Sequence, residues 1–257
     1  MDSDQVHQRW RLARRDELAS PNSWLGLIGL FWLEPGLNPV GSAEGSTVLL
    51  PAGPPHLGYL CWQGDKLFWL PEEGAEIELQ TDLNGQPSTV DYKNWAFFVV
   101  DRNNRLAARL RDRDWALVKP FNGLEYFAYD PAWRIDAEWQ TLSPPVSMEV
   151  PNVAGELKTV LVEQRAVFEI AGQQVELLPM SVSATEVFFV FRDRSSGKET
   201  YGAGRFLKVP VSVDGKISLD FNFAYSPPCA FTPFATCPLP PPENWLPFAV
   251  TAGEKKP

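Results

Sequence analysis

The chain is poor in the residues on which many recognisable activities depend. Of its 257 residues only three are cysteine (Cys61, Cys229, Cys237) and two are histidine (His7, His56). An odd cysteine count argues against a disulfide framework. So few soft ligands, with no CxxC and no HExxH, leave a zinc site without its paired spacings. Phosphate loops are missing as well. GxGxxG, GxxxxGK[ST] and GxSxG do not occur, and GAGR at 202–205 is too short to cradle a phosphate. Neither a metal nor a cofactor is therefore expected. Positive charge is in deficit: Lys and Arg total 23 against 32 Asp and Glu, a net charge of -9. A nucleic-acid partner is not expected on that balance. The longest apolar run, 24–33, is far short of the ~20 residues that cross a bilayer. The charged start MDSDQVHQRWRLARRDE lacks the apolar core of a secretory signal. A cytoplasmic protein with no membrane partner is expected. No internal repeat is evident.

What is present is the mix of a globule, with 44% apolar and 21% charged residues. The length allows one large domain or two small ones. Residues 2–19 read as an amphipathic helix, capped by Asp2 or Ser3. Val6, Trp10, Ala13 and Leu18 fall near its apolar face, and Arg9, Arg11, Arg14, Arg15, Asp16 and Glu17 solvate the rest. Ser20-Pro21 then opens a second, short helix carrying Trp24, Leu25, Leu27, Ile28 and Leu30, which Glu34-Pro35-Gly36 ends. From Gly36 onward short apolar runs alternate with Gly, Pro, Asn and Asp turns, a β pattern. Candidate strands are 47–50, 58–62, 66–70, 76–79, 96–101, 106–112, 133–140, 147–150, 157–162, 166–170, 173–179, 187–191, 212–213 and 217–220. That is too many for one small sandwich, so two β units are expected, with a seam at 111–120. The expected fold is mainly β: an N-terminal helical segment (1–35), a first β-sandwich (36–112) and a second barrel or sandwich unit (113–257).

The C-terminal stretch differs in kind. Seven prolines lie between Ser226 and Pro242. Proline fixes φ and supplies no N–H, so the stretch is neither central strand nor helix and runs as a stiff irregular path. It carries Phe231 and Phe234, with Trp245 and Phe248 just beyond, all of which favour burial. A stiff aromatic loop held on a β scaffold gives a site pre-organised walls.

Two passages, ETYGAGRFLKVP (199–210) and DFNFAYSPPCAFTPFATCPLPPPENWLPFAVTAGEKK (220–256), resemble the bacterial and archaeal family of unknown function called DUF1684. The N-terminal half resembles it too, through the pattern LxxPxxWLxLxGLFWLxxG at 18–36. The resemblance brings no established activity with it. The segments NPVGSAEGSTVLLP, GPPHLGYLCWQGDKLFW and LNGQP also resemble a diverged FHA domain, a sandwich that binds phosphothreonine. Such domains place Gly-Arg, Ser-x-x-His and Asn-Gly at three stations. Here Gly41-Ser42 replaces the first, Gly53-Pro54-Pro55-His56 the second, and Asn84-Gly85 matches the third. With the arginine and serine gone, phosphopeptide binding is expected to be lost.

Several residues are candidates for chemistry. Arg205, in Tyr201-Gly202-Ala203-Gly204-Arg205, suits a bidentate grip on a carboxylate or phosphate, or else a structural ion pair to Asp220 or Glu199. Asp220 and Asn222 share a strand face beside Tyr225, either to orient a ligand or to pin the proline-rich backbone. Cys229 is a nucleophile if a base or cation stands near; otherwise Cys229 and Cys237 are buried thiols, or one loop-stapling disulfide. Glu243 is a general base if burial raises its pKa, and otherwise a cap. Glu254-Lys255 reads as a solvated tail, and Arg109 and Arg111 as the wet face of a sheet. The leading expectation is a small-molecule site for an anionic ligand in the second β unit, with Arg205 as anchor and Tyr201, Asp220, Asn222, Tyr225 and Glu243 as wall. That site is either a binding or a hydrolytic one, with Asp220, Cys229 and Glu243 as catalytic candidates. The alternatives are a non-enzymatic module that docks a protein partner and a Cys229-dependent thiol enzyme.

Overall fold

The computed structural model describes residues 3–170, 172–211 and 214–257. The chain forms two compact units. One is Ala19–Phe121; the other is Asn122–Pro257 together with the chain up to Leu18. The mainly β architecture expected from the sequence is present in both. The first helix, α1 (Ser3–Ala19), groups with the C-terminal unit and not with the apolar segment that follows it. Among the described residues no helix is long and apolar enough to cross a membrane.

The Ala19–Phe121 unit holds β1 (Leu27–Trp32), β2 (Gly36–Gly41), β3 (Val48–Leu49), β4 (Gly58–Gln63), β5 (Lys66–Pro71), β6 (Ile77–Leu79), β7 (Thr89–Tyr92), β8 (Trp95–Arg102) and β9 (Arg105–Asp112). They form two sheets, ordered β1-β9-β8-β7 and β3-β2-β4-β5-β6. Val40, Leu60, Leu67 and Trp69 of one sheet share a core with Phe97, Val99, Ala108 and Leu110 of the other. Asn103 and Asn104, at φ 55° and 62°, make the two-residue β8–β9 turn, because their short side chains tolerate the left-handed region.

The short helix expected at 21–33 is absent. Only Trp24–Gly26 makes one 3-10 turn, capped by the Ser23 hydroxyl, which accepts the Leu25 N–H at 3.1 Å. Leu27–Trp32 is instead an edge strand, antiparallel to β9. A continuous apolar run cannot separate strand from helix by period alone. Gly26 and Gly29 weaken a helix here, and the pairing shifts register between Leu27 and Gly29.

The C-terminal unit holds β10 (Arg134–Pro151), β11 (Leu157–Ile170), β12 (Gln173–Leu177), β13 (Ser181–Val182), β14 (Glu186–Phe191), β15 (Arg205–Pro210) and β16 (Lys216–Asp220). Sheets β12-β11-β10-β16 and β13-β14-β15 wrap one core as a half-barrel. Phe168, Leu177, Phe189, Phe191, Leu207, Leu219 and Phe221 fill it, and Leu246, Val250 and Ala252 of the tail close it. The two expected strands at 133–140 and 147–150 are one strand, β10, which carries a register shift between Thr141 and Val146. The pieces at 157–162 and 166–170 likewise merge into β11. β15, unexpected from sequence, supplies Arg205. The expected strand Ser212–Val213 and the expected cap Asp2 lie outside the described residues. The proline-rich stretch runs irregularly, through 3-10 turns at Pro228–Ala230 and Pro242–Asn244.

Candidate functional site

Arg205 is fully buried at the start of β15. Its Nη2 donates to Asp193 Oδ2 at 2.9 Å and to the Val250 carbonyl at 2.8 Å; its Nη1 donates to the Ala252 carbonyl. Asp193 is satisfied in turn, accepting from the Ser195 N–H at 2.7 Å, the Ser195 hydroxyl and the Val250 N–H. Arg205 therefore fastens the C-terminal tail to the half-barrel. The glycine before it serves the same packing. Gly204 has φ +99°, and a Cβ there would stand 2.5 Å from both the Phe191 carbonyl oxygen and Pro240 Cγ. The YGAGR segment, expected to hold a ligand, is shaped to receive the proline-rich loop.

A second buried ion pair holds α1. Arg14 Nε donates to Glu254 Oε1 at 3.0 Å, Nη1 to Glu17 Oε2 at 3.1 Å, and Nη2 to the Ser226 carbonyl at 3.0 Å. Burial alone would lower the Arg14 pKa, but Glu254 and Glu17 outweigh it and the pKa is raised. Glu254 also accepts the Ser226 N–H at 2.8 Å and is fully buried. It is no solvated tail. The buried face of α1 is His7, Arg14 and Leu18, with Trp10 half-buried, whereas Ala13 is exposed and Val6 is 38% exposed. The helix is amphipathic, but Arg14, read as solvating it, lies on its inner face. His7 sits among the rings of Trp10, Tyr126, Tyr129 and Phe223. Among the described residues, neither of its ring nitrogens has a partner in full hydrogen-bonding geometry.

Beside this helix lies a cleft of about 660 Å³. Trp10, Phe223 and Tyr225 give it aromatic surface, and Val209 and Pro210 add apolar wall. Tyr225 is set by two backbone hydrogen bonds of 2.9 Å with Phe206 on β15. Charges line the rest. Lys208 pairs with Glu186 at 2.9 Å, and Arg134 Nε donates to the Ser218 hydroxyl at 3.3 Å. Burial pushes the Tyr225 phenol up, so it stays protonated near neutrality.

Of the residues read from sequence, Asp220 and Tyr225 line this cleft. Arg205, Tyr201, Asn222 and Glu243 are not among its lining residues. The Asp220 carboxylate accepts from the Asn222 N–H and side-chain amide, at 3.1 and 2.9 Å. Asn222 is buried; its amide donates to the Asp130 carbonyl at 2.9 Å and its oxygen accepts the Asp130 N–H at 3.1 Å. Glu243 is exposed, while its neighbour Asn244 is buried. Asn244 clamps the loop, exchanging two 2.8 Å hydrogen bonds with the Leu178 backbone and donating to the Val190 carbonyl at 2.9 Å. Tyr201 donates its hydroxyl to the Cys229 carbonyl at 2.9 Å. Cys237 and Tyr201 stand against the Cys229 thiol.

Sequence reasoning missed His7, Asp193 and Asn244 and misjudged Arg14 and Glu254. One signal was available: residues 7, 10, 14 and 18 repeat at helical spacing. In the first unit, Arg109 is buried with its guanidinium 5.2 Å from the Trp24 ring, so that face of β9 is not wet. The segments Gly41-Ser42 and Gly53–His56 lie side by side. The Ser42 hydroxyl donates to the Gly53 and Pro54 carbonyls at 2.9 and 3.0 Å, and His56 pairs with Glu72 at 3.1 Å. These groups hold loops together. The Asn84 side chain lies outside the described residues.

Two outcomes are expected. Arg205→Met leaves Asp193 buried and unpaired, so it should cost about 3–5 kcal/mol in chemical denaturation of the C-terminal unit. A loss under ~1 kcal/mol would reopen a ligand role. The second concerns pH. Burial lowers the His7 pKa below its ordinary 6.5, while the Asn222 backbone, Asp220 and Asp4 oppose this and Arg11 adds to it. The unfolded chain then binds the proton first. Stability from neutral His7 is complete above about pH 6.5 and is lost as pH falls from there toward the lower folded-state value. Melting curves between pH 8 and 5 should fall more steeply for the wild type than for His7→Phe.

The sequence model described as "Protein of unknown function (DUF1684)" matches residues 119–255. No curated protein matches the chain. A solution NMR structure of the uncharacterised protein from gene locus rrnAC0354 of Haloarcula marismortui is 35% identical. The match covers 52% of this chain and 77% of that one, with a TM-score of 0.43. With more than half of its length inside the matched family, this chain belongs to the DUF1684 family.

Proposed function

We propose that the C-terminal unit binds a small organic anion with an apolar or aromatic body in the cleft beside α1. The observation that carries this reading is the cleft itself: about 660 Å³, with Trp10, Phe223 and Tyr225 as a surface for the body and Arg134 and Lys208 as cations. That volume lies within the ~300–1,000 Å³ of small-molecule sites. Arg205, the anchor expected from sequence, is engaged in holding the tail, so the anion's partners pass to Arg134 and Lys208. Binding is favoured over hydrolysis, because the lining places no nucleophile against a base. The Ser218 hydroxyl meets Arg134, and Asp220 Oδ1 is taken by Asn222. A phosphopeptide role for the first unit is not favoured, because Ser42 spends its hydroxyl on loop carbonyls.

The test is a thermal-shift screen of the full chain against aromatic and aliphatic carboxylates and sulfonates, with uncharged analogues as controls. A ligand at ~100 times its Kd should stabilise by roughly 2.7 kcal/mol. It should quench Trp10 fluorescence and lose most of its effect in Arg134→Ala/Lys208→Ala, whose unliganded melting point stays near that of the wild type. Binding that survives both that variant and Trp10→Ala would remove the cleft as the site. So would a wild type that no member of the panel shifts.

A further inference from the structure

Cys229 and Cys237 stand eight residues apart in the proline-rich stretch, and the fold brings them into contact. The Cys229 N–H donates to Cys237 Sγ at 3.3 Å, and the two side chains lie within hydrogen-bonding reach of each other. No disulfide joins them. Their surroundings differ. Cys237 is 5% exposed and its backbone is fixed: Val153 N–H donates to the Cys237 carbonyl at 3.1 Å, and Asn152 bridges to Pro238. Cys229 is only partly buried, on the 3-10 turn Pro228–Ala230. Tyr201 holds that turn through the Cys229 carbonyl and lies against the thiol. The contact with Cys237 lowers the Cys229 pKa to about 7; burial works against it, and Tyr201 adds to the lowering. That lowering favours the thiolate, the form that exchanges with disulfides.

We propose that Cys229 and Cys237 form a reversible thiol–disulfide pair, in which accessible Cys229 attacks and buried Cys237 resolves. The oxidant is a low-molecular-weight disulfide. The Cys229 thiolate attacks one of its sulfurs, the S–S bond breaks, and one small thiolate leaves. Cys237 then gives up its proton, and its thiolate attacks Cys229 Sγ in the mixed disulfide and expels the second small thiolate. Two electrons pass from the protein to the small disulfide, and the two cysteine protons go to the two leaving thiolates. An excess of small thiol reverses both steps. The pair is independent of the cleft, whose lining includes neither cysteine.

The probe is oxidised glutathione. The reduced full chain is equilibrated in glutathione buffers of rising oxidised fraction, quenched with acid and analysed by intact mass and peptide mapping. The wild type should lose two hydrogens and yield a peptide linking Cys229 to Cys237. Cys237→Ala should stop at one added glutathionyl group on Cys229. Cys229→Ala should give neither product. Without any variant, iodoacetamide should label Cys229 of the native protein, with a rate that rises through a midpoint near pH 7. The pair is overturned if Cys229 and Cys237 stay unlinked in the most oxidising buffer. It is equally overturned if Cys61 is the residue linked, or if native Cys229 resists alkylation.

Discussion

Two buried guanidinium–carboxylate contacts organise the C-terminal unit. Arg205 with Asp193 and Arg14 with Glu254 lie in surroundings where an unpaired charge would cost several kcal/mol. Neither pair is isolated. Arg205 takes the carbonyls of Val250 and Ala252, and Arg14 takes that of Ser226. Those carbonyls belong to segments outside the sheets, where strand ladders cannot satisfy them, so the side chains do what a neighbouring strand would do. One cost remains visible: Arg205 Nε is buried without a partner among the described residues, with the guanidinium 5.3 Å from the Phe191 ring. The tail can come this close because Gly253 has φ +78°, and a Cβ there would stand 2.3 Å from the Ala224 carbonyl oxygen.

This arrangement explains how a stretch rich in proline becomes part of a core. Proline removes donors and leaves acceptors behind. Arg14, Tyr201 and Trp245 supply side-chain donors to the stretch's Ser226, Cys229 and Pro240 carbonyls. The aromatic cleft beside α1 and the cysteine pair in the loop both rest on this bracing, yet they use different residues. That separation lets each be probed without dismantling the other.

The parts of the fold that follow from local pattern were legible in the sequence. Turn residues between short apolar runs marked β4, β5, β8, β9 and β12, and seven prolines marked the irregular path. What escaped was decided by partners distant in sequence. Arg14 and Glu254 are 240 residues apart, and each alone looks like a surface charge. A hydrophobicity criterion puts such residues outside, because burial of charge is rare unless it is paired. β1 escaped for another reason: its apolar run gains its strand character from pairing with β9. Of the candidate site, Asp220 and Tyr225 were reached from sequence; Trp10, read as part of the helix's apolar face, also lines the cleft, and Arg134 and Lys208 had no signature at all.

The claim that buried ion pairs tie α1 and the tail to the half-barrel is tested most directly by a double-mutant cycle on Arg14 and Glu254. Unfolding free energies of the wild type, Arg14→Met, Glu254→Gln and the double variant would be measured by chemical denaturation of the full chain. Each single variant strands a buried partner, so the double variant should be more stable than the sum of the two losses implies, by roughly 1–3 kcal/mol. Additivity within ~0.5 kcal/mol would mean the two residues act independently, and would contradict the account.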